Sequence, residues 1–153
     1  MKSLLLLLFL SVNLVASAQA GFQQLSFAKA LEQAGEEGKL IFLQFESANC
    51  AQCNEVADKG LNNKELAEEL APSFILLKIP PTHPDREAIG SRYNMQQGFG
   101  SLYINAEGTL VHKFASTTSS SKHYAEQSKL AIEKAGETLK VSELENEYKS
   151  GNK

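Results

Sequence analysis

The only two cysteines of this 153-residue chain stand two residues apart in Asn49-Cys50-Ala51-Gln52-Cys53. Set where an apolar run hands over to a helical stretch, they read as a redox pair. The reactive species of such a pair is the thiolate, not the thiol. Unpaired N–H groups and the positive end of the macrodipole at a helix N-terminus favour a negative sulfur. Cys50 is therefore expected to be the exposed attacker and Cys53, one turn further in, the resolving thiol. Exchange would pass through a mixed disulfide on Cys50 that Cys53 releases. A purely structural staple is the weaker alternative, because so short a loop is stabilised least in the chain-entropy model.

Other chemistry-bearing residues are scattered. Zinc or copper would accept Cys and His ligands, but His83 falls in a proline-rich turn, His112 in a strand and His123 at a helix start, without paired spacing. No metal site and no cofactor is expected. Haem attachment requires a histidine directly after the second cysteine, where Asn54 stands. Tyr93, Tyr103 and Tyr124 are expected as half-buried packing residues.

The elements that must position the thiols follow from pattern. Ser26 is a plausible N-cap for a helix with Phe27, Ala30, Leu31 and Ala34 at helical spacing, ended by Gly35 and Gly38. Lys39 to Phe45 reads as a buried central strand whose neighbours should be parallel. Asn49 with Gln52 suggests a capping box that puts both cysteines in the first turn of a helix stopped by Gly60. Asn62 with Glu65 repeats that pattern for a helix ending before Pro72. Phe74 to Ile79 is a second buried strand, followed by a rigid turn at Pro80 to Pro84 and a short helix from Asp85 to Arg92. After the Gly98-Phe99-Gly100 loop, Leu102 to Ile104 and Thr109 to Phe114 form a hairpin turning at Asn105 to Gly108. A long amphipathic helix starts at Lys122, with Gly136 weakening it, and Ser142 with Glu145 predicts a separate short helix from Glu143 to Tyr148.

Composition is that of one globular domain, 42% hydrophobic and 22% charged. Residues 1–20 read as a secretory leader: Met1-Lys2, an apolar stretch from Leu4 to Leu10, and Ala18-Gln19-Ala20 as the cleavage site. The domain then covers 21–141 and a helical tail 142–153. Such a chain is exported, to the periplasm if bacterial, where disulfides persist. Its 18 acidic and 15 basic side chains give −3, and loss of Lys2 makes it one unit more acidic. That balance offers no footprint for nucleic acid.

The order of elements resembles the thioredoxin fold across roughly Leu25 to Leu139. The resemblance is carried by Phe42-Leu-Gln-Phe-Glu-Ser-Ala-Asn-Cys-Ala-Gln-Cys53, Tyr93-Asn94-Met95 and Leu102-Tyr-Ile-Asn-Ala-Glu-Gly108. It implies an α/β chain with a three-layer α/β/α fold and a mixed central sheet, the same roles for Cys50 and Cys53, and thiol–disulfide oxidoreductase activity. Three positions depart from the family. Asn49 replaces a tryptophan, with Ala51-Gln52 between the cysteines where thioredoxins have Gly-Pro. Gln44 replaces a buried proton-handling aspartate, and Glu46, on the same strand face by its period of two, is the candidate to take over proton transfer. Phe99 replaces the cis-proline, so a trans peptide is expected there, and Gly98, Phe99 and Gly100 form the candidate substrate loop. Expected partners are a disulfide-containing protein or small molecule and, for a reductive direction, a membrane electron donor. The chain is expected to act as a monomer. The alternative function is a metal-handling or adaptor module with little redox turnover.

Overall fold

The computed structural model describes residues 21–95 and 98–150, the side chains at 144, 147 and 148 excepted. The assigned leader therefore lies outside the described residues. The central strand β1 (Leu40–Phe45) is buried along nearly its whole length. Its two faces serve two cores, as alternation along a strand requires. Ile41, Leu43 and Phe45 pack with Ala30 and Ala34 of helix α1 (Phe27–Glu37), Ile89 of α4 (Arg86–Arg92) and Tyr93, the residue that follows α4. Phe42 packs on the opposite side with Ala57, Leu61, Leu66 and Tyr124 from α2 (Ala51–Leu61), α3 (Lys64–Leu70) and α5 (Ser121–Lys149). The result is the expected three-layer α/β/α architecture.

The sheet runs in the order β2 (Phe74–Ile79), β1, β3 (Gly100–Ile104), β4 (Leu110–Phe114). β2 is parallel to β1, from Leu40 opposite Phe74 to Phe45 opposite Ile79. β3 is antiparallel to β1, with Gly100 opposite Phe45. This corrects the expectation that both neighbours of β1 would be parallel. The chain leaves β2 and enters β3 at the same end of the sheet, so β3 must run back. Its hairpin with β4 forms as expected, with Thr109 N–H donating to Asn105 Oδ1 at 2.7 Å and Gly108 at φ 77°.

Several helix ends differ from expectation. Ser26 caps α1, and Gly38, left-handed at φ 63°, terminates it, whereas Gly35 lies inside the helix. Gly60 does not stop α2: a β carbon there would meet Tyr124 Cε2 at 2.7 Å and Thr118 O at 2.8 Å. It is a point of close approach. Asn63, not Asn62, caps α3, accepting the Leu66 N–H at 3.0 Å. α5 is one helix from Ser121 to Lys149 instead of two. Ser142 Oγ donates back to Leu139 O at 2.8 Å, which spends the side chain along the helix and leaves no cap.

Tyr103 and Tyr124 are fully buried, not half-buried. Their rings meet Phe42 edge-on at centroid distances of 5.1 and 6.3 Å, a favoured aromatic geometry. No helix among the described residues is long and apolar enough to cross a membrane.

Candidate active site

β1 ends at Phe45, and the chain crosses through Glu46–Cys50 to the first residue of α2, Ala51. The N-cap of α2 is Cys50, with φ −136° and ψ 82°, and its Sγ lies 3.1 Å from the Cys53 N–H. This corrects the capping box assigned to Asn49 and Gln52. Asn49 falls one residue too early and instead donates its N–H to Ser47 Oγ at 3.3 Å. A cysteine at the cap is better placed than one inside the turn. Its sulfur takes the acceptor position in which Ser, Thr, Asp or Asn oxygens satisfy a free helix N–H.

Cys50 and Cys53 are joined as a disulfide, with Cα atoms 5.2 Å apart, inside the range such a bond permits. Both are half-buried, while Ala51 and Gln52 between them are exposed. The first turn of α2 carries no acidic residue, and Lys59 lies in its last turn. No carboxylate in that first turn therefore opposes a negative sulfur at its amino end, and the macrodipole favours one.

The approach to Cys50 is tied by residues that pattern reading did not single out. Asn54 pairs with both backbone groups of Ser47: its Oδ1 accepts the Ser47 N–H at 2.8 Å and its Nδ2 donates to Ser47 O at 2.9 Å. Arg86, at the start of α4, donates to Glu46 O at 2.7 Å and to Ile79 O at 3.3 Å. Its guanidinium also lies over the Phe45 ring, 4.2 Å from the centroid. Burial lowers the Arg86 pKa from its ordinary value, and the Glu46 carboxylate partly offsets this. Asn54 was visible only as the residue after the second cysteine. Arg86 had no local signal, because its partners are backbone carbonyls, one at the end of β2 and one forty residues away just past β1.

Gln44 is buried, and its Oε1 accepts a hydrogen bond from Ser101 Oγ at 2.8 Å. Glu46 is half-buried and does not project freely into solvent: its carboxylate lies 3.7 Å from Lys78 Nζ, which also pairs with Asp58 at 2.7 Å. Phe99 is half-buried and follows a trans peptide. The register that sets Gly100 against Phe45 brings the Gly98–Gly100 loop to the end of β1 from which the chain runs to Cys50. Gly100 has φ 134°, and a β carbon there would collide with Phe114 O.

The three histidines are engaged elsewhere. His83 bonds Leu25 O and the Asp85 N–H, both at 3.1 Å. His112 stacks on Tyr103 and bonds Gln127 at 2.8 Å and Lys134 at 2.9 Å. His123 packs on Phe114 and lies 3.5 Å from Glu126.

Compared with known proteins, the chain matches the family described as Thioredoxin-like over residues 22–103, a span that includes both cysteines. A comparison with curated proteins gives no match. Among solved structures it is similar to the DsbH oxidoreductase, at 20% identity and a TM-score of 0.62, over 74% of this chain and 85% of that one. It is similar to a candidate disulphide isomerase from Bacteroides thetaiotaomicron at 23% identity and a TM-score of 0.60, over 74% and 93%. The oxidised C-terminal domain of Neisseria meningitidis DsbD matches at 18% identity and a TM-score of 0.53, over 67% and 89%. At these identities the likeness is one of fold.

Proposed function

This chain belongs to the thioredoxin-like family, and on that premise we propose that it is a thiol–disulfide oxidoreductase working through Cys50 and Cys53 in an exported compartment. The observation that carries this reading is the Cys50–Cys53 bridge at the amino end of α2, with the Cys53 N–H directed at Cys50 Sγ.

In the reduced protein the Cys50 thiolate attacks one sulfur of a substrate disulfide. A bond forms between Cys50 and that sulfur, and the other substrate sulfur leaves as a thiolate and takes up a proton. Cys53, having given up its proton, attacks Cys50 Sγ. The Cys50–Cys53 bond closes, the second substrate thiolate leaves, and two electrons have passed from the dithiol to the substrate. The same atoms run the reaction in reverse.

Glu46 is the group we assign to take the Cys53 proton. Its half-buried carboxylate, one residue past the end of β1 on the segment that leads to Cys50, supports that role. Gly98, Phe99 and Gly100 are assigned to substrate contact, supported by their position at the same end of β1. The substrate is a protein or small-molecule disulfide, and a membrane protein supplies electrons when the direction is reductive. Export rests on the apolar leader cleaved after Ala20, ahead of a domain 21–141 with its tail 142–153, acting as a monomer.

Equilibration of the mature protein in thiol redox buffers, read by trapping free thiols, tests this. A reversible two-electron couple is expected between about −270 and −120 mV, and Cys50→Ser abolishes it. Absence of any reversible couple in that interval overturns the reading.

A further inference from the structure

Cys50 Sγ meets the Cys53 N–H from a non-helical backbone conformation, so the chain leading into Cys50 decides where the sulfur sits. Of that chain, Ala48 and Asn49 are exposed. The tie nearest to them is Ser47, a buried residue whose N–H and C=O are both taken by the Asn54 carboxamide, at 2.8 and 2.9 Å. An amide that accepts from and donates to the same residue reproduces the paired bonds a neighbouring strand would offer. Asn54 is itself seated in α2, its own N–H donating to Cys50 O at 3.3 Å. The side-chain clamp thus closes a ring from Ser47 to Asn54 that contains both cysteines.

Resting on the assignment of Cys50 as nucleophile, we propose that Asn54 is a positioning residue whose carboxamide, by holding Ser47, keeps Cys50 Sγ at the Cys53 N–H and so maintains the reduced sulfur as a thiolate. Asn54 acts only through the backbone and exchanges no proton or bond with substrate. Once the clamp is lost, the segment from Ser47 to Asn49 samples conformations that turn the sulfur away from the helix, while Glu46 stays held by Arg86. A hydrogen bond that favours the charged form then disappears, and the thiol deprotonates at higher pH. The oxidised protein is less affected, because the disulfide holds the sulfur covalently.

The test is the pH profile of Cys50 alkylation by iodoacetamide, in the full mature chain carrying Cys53→Ser so that one thiol reacts. Asn54→Ala is expected to raise the midpoint by about one pH unit, a roughly tenfold loss of thiolate below it. Asn54→Gln, which keeps the amide but displaces it by one methylene, carries the same expectation if the alanine variant does not fold. Asn63→Ala removes another asparagine that bonds a backbone N–H, the cap of α3, and should lower the melting temperature without moving the midpoint. An unmoved midpoint in a folded Asn54 variant, or an equal shift in Asn63→Ala, overturns the proposal. The wild-type redox couple is read separately. Its absence removes the oxidoreductase reading, whereas an intact couple with an unmoved midpoint removes only the clamp.

Discussion

Gln44 occupies a buried position on the face of β1 shared with Phe42, and its one short side-chain bond goes to Ser101 on β3. An amide can meet that hydroxyl at no cost in charge, but a carboxylate of the same size cannot stay ionised there without losing solvation. Gln44→Glu is therefore expected to be destabilised by about 1–3 kcal/mol at pH 7. The sign follows from linkage. Burial raises the folded-state carboxyl pKa above its unfolded value of ~4.3, so stability is retained below that value and lost as pH rises through the folded pKa. Urea unfolding of the variant and the wild type at pH 4 and pH 7 checks this. A wild-type-to-variant difference that is the same at both pH values would rule it out. The cysteines were legible at this scale because they are neighbours in sequence. The ion pairing of Glu46 with Lys78 was not, since those residues meet only where two strands lie side by side.

Two helices show how packing can reverse a propensity. Gly60 lies in α2 against Tyr124 and Thr118, whereas a β carbon at Gly136 of α5 would meet nothing within 4 Å. Replacing either by alanine gains about 1 kcal/mol of helix propensity. At Gly136 that gain stands alone, and Gly136→Ala should stabilise by roughly 0.5–1 kcal/mol. At Gly60 the added methyl forces Tyr124 or the Thr118 backbone to move, and overpacking of that kind costs about 1–3 kcal/mol. Gly60→Ala should lower the melting temperature while Gly136→Ala raises it. Shifts of the same sign would contradict the account. The reading of Gly60 as a terminator failed for the same reason. A glycine inside a helical pattern marks either an end or a close approach, and the partner across the approach is remote in sequence. The reading of Ser142 as a cap failed because a serine hydroxyl can also bond back along its own helix.

Across the whole molecule, the aromatic side chains join the layers, and they give the fold a predicted alkaline limit. Burial is the largest influence on Tyr93, Tyr103 and Tyr124, and it raises all three hydroxyls above the ordinary value of 10.0. Arg92 partly offsets the effect at Tyr93, Ser128 at Tyr103 and the Thr118 backbone at Tyr124. A raised folded-state pKa means that the unfolded chain loses its protons first. The contribution is complete below the unfolded value and disappears as pH climbs through the folded values. Stability should therefore fall steeply above pH 10.0, with tyrosinate absorbance at 295 nm held back until the chain unfolds. Tyr103→Phe should flatten that slope most, because Tyr103 is shifted furthest. Ionisation of all three near their ordinary value in a folded protein would refute this.

The three-layer arrangement was legible only through the resemblance to the thioredoxin fold, whereas residue order alone was enough for the dithiol, the strand before it and the helix after it. Those features rest on adjacency, hydrophobic period and turn chemistry, all of which are local. Against that resemblance, the departures at Gln44 and Asn49 could be read by counting from the cysteines, and the one at Phe99 by counting back from Asn105 or forward from Tyr93. Tertiary structure alone decided the direction of β3, the promotion of Cys50 to the cap and the side chains that hold its approach. Asn54 reaches Ser47 only after α2 has formed, and Arg86 reaches Glu46 and Ile79 only when α4 packs over the ends of β1 and β2. Bonds of that kind depend on register and packing, which no short stretch of residues specifies on its own.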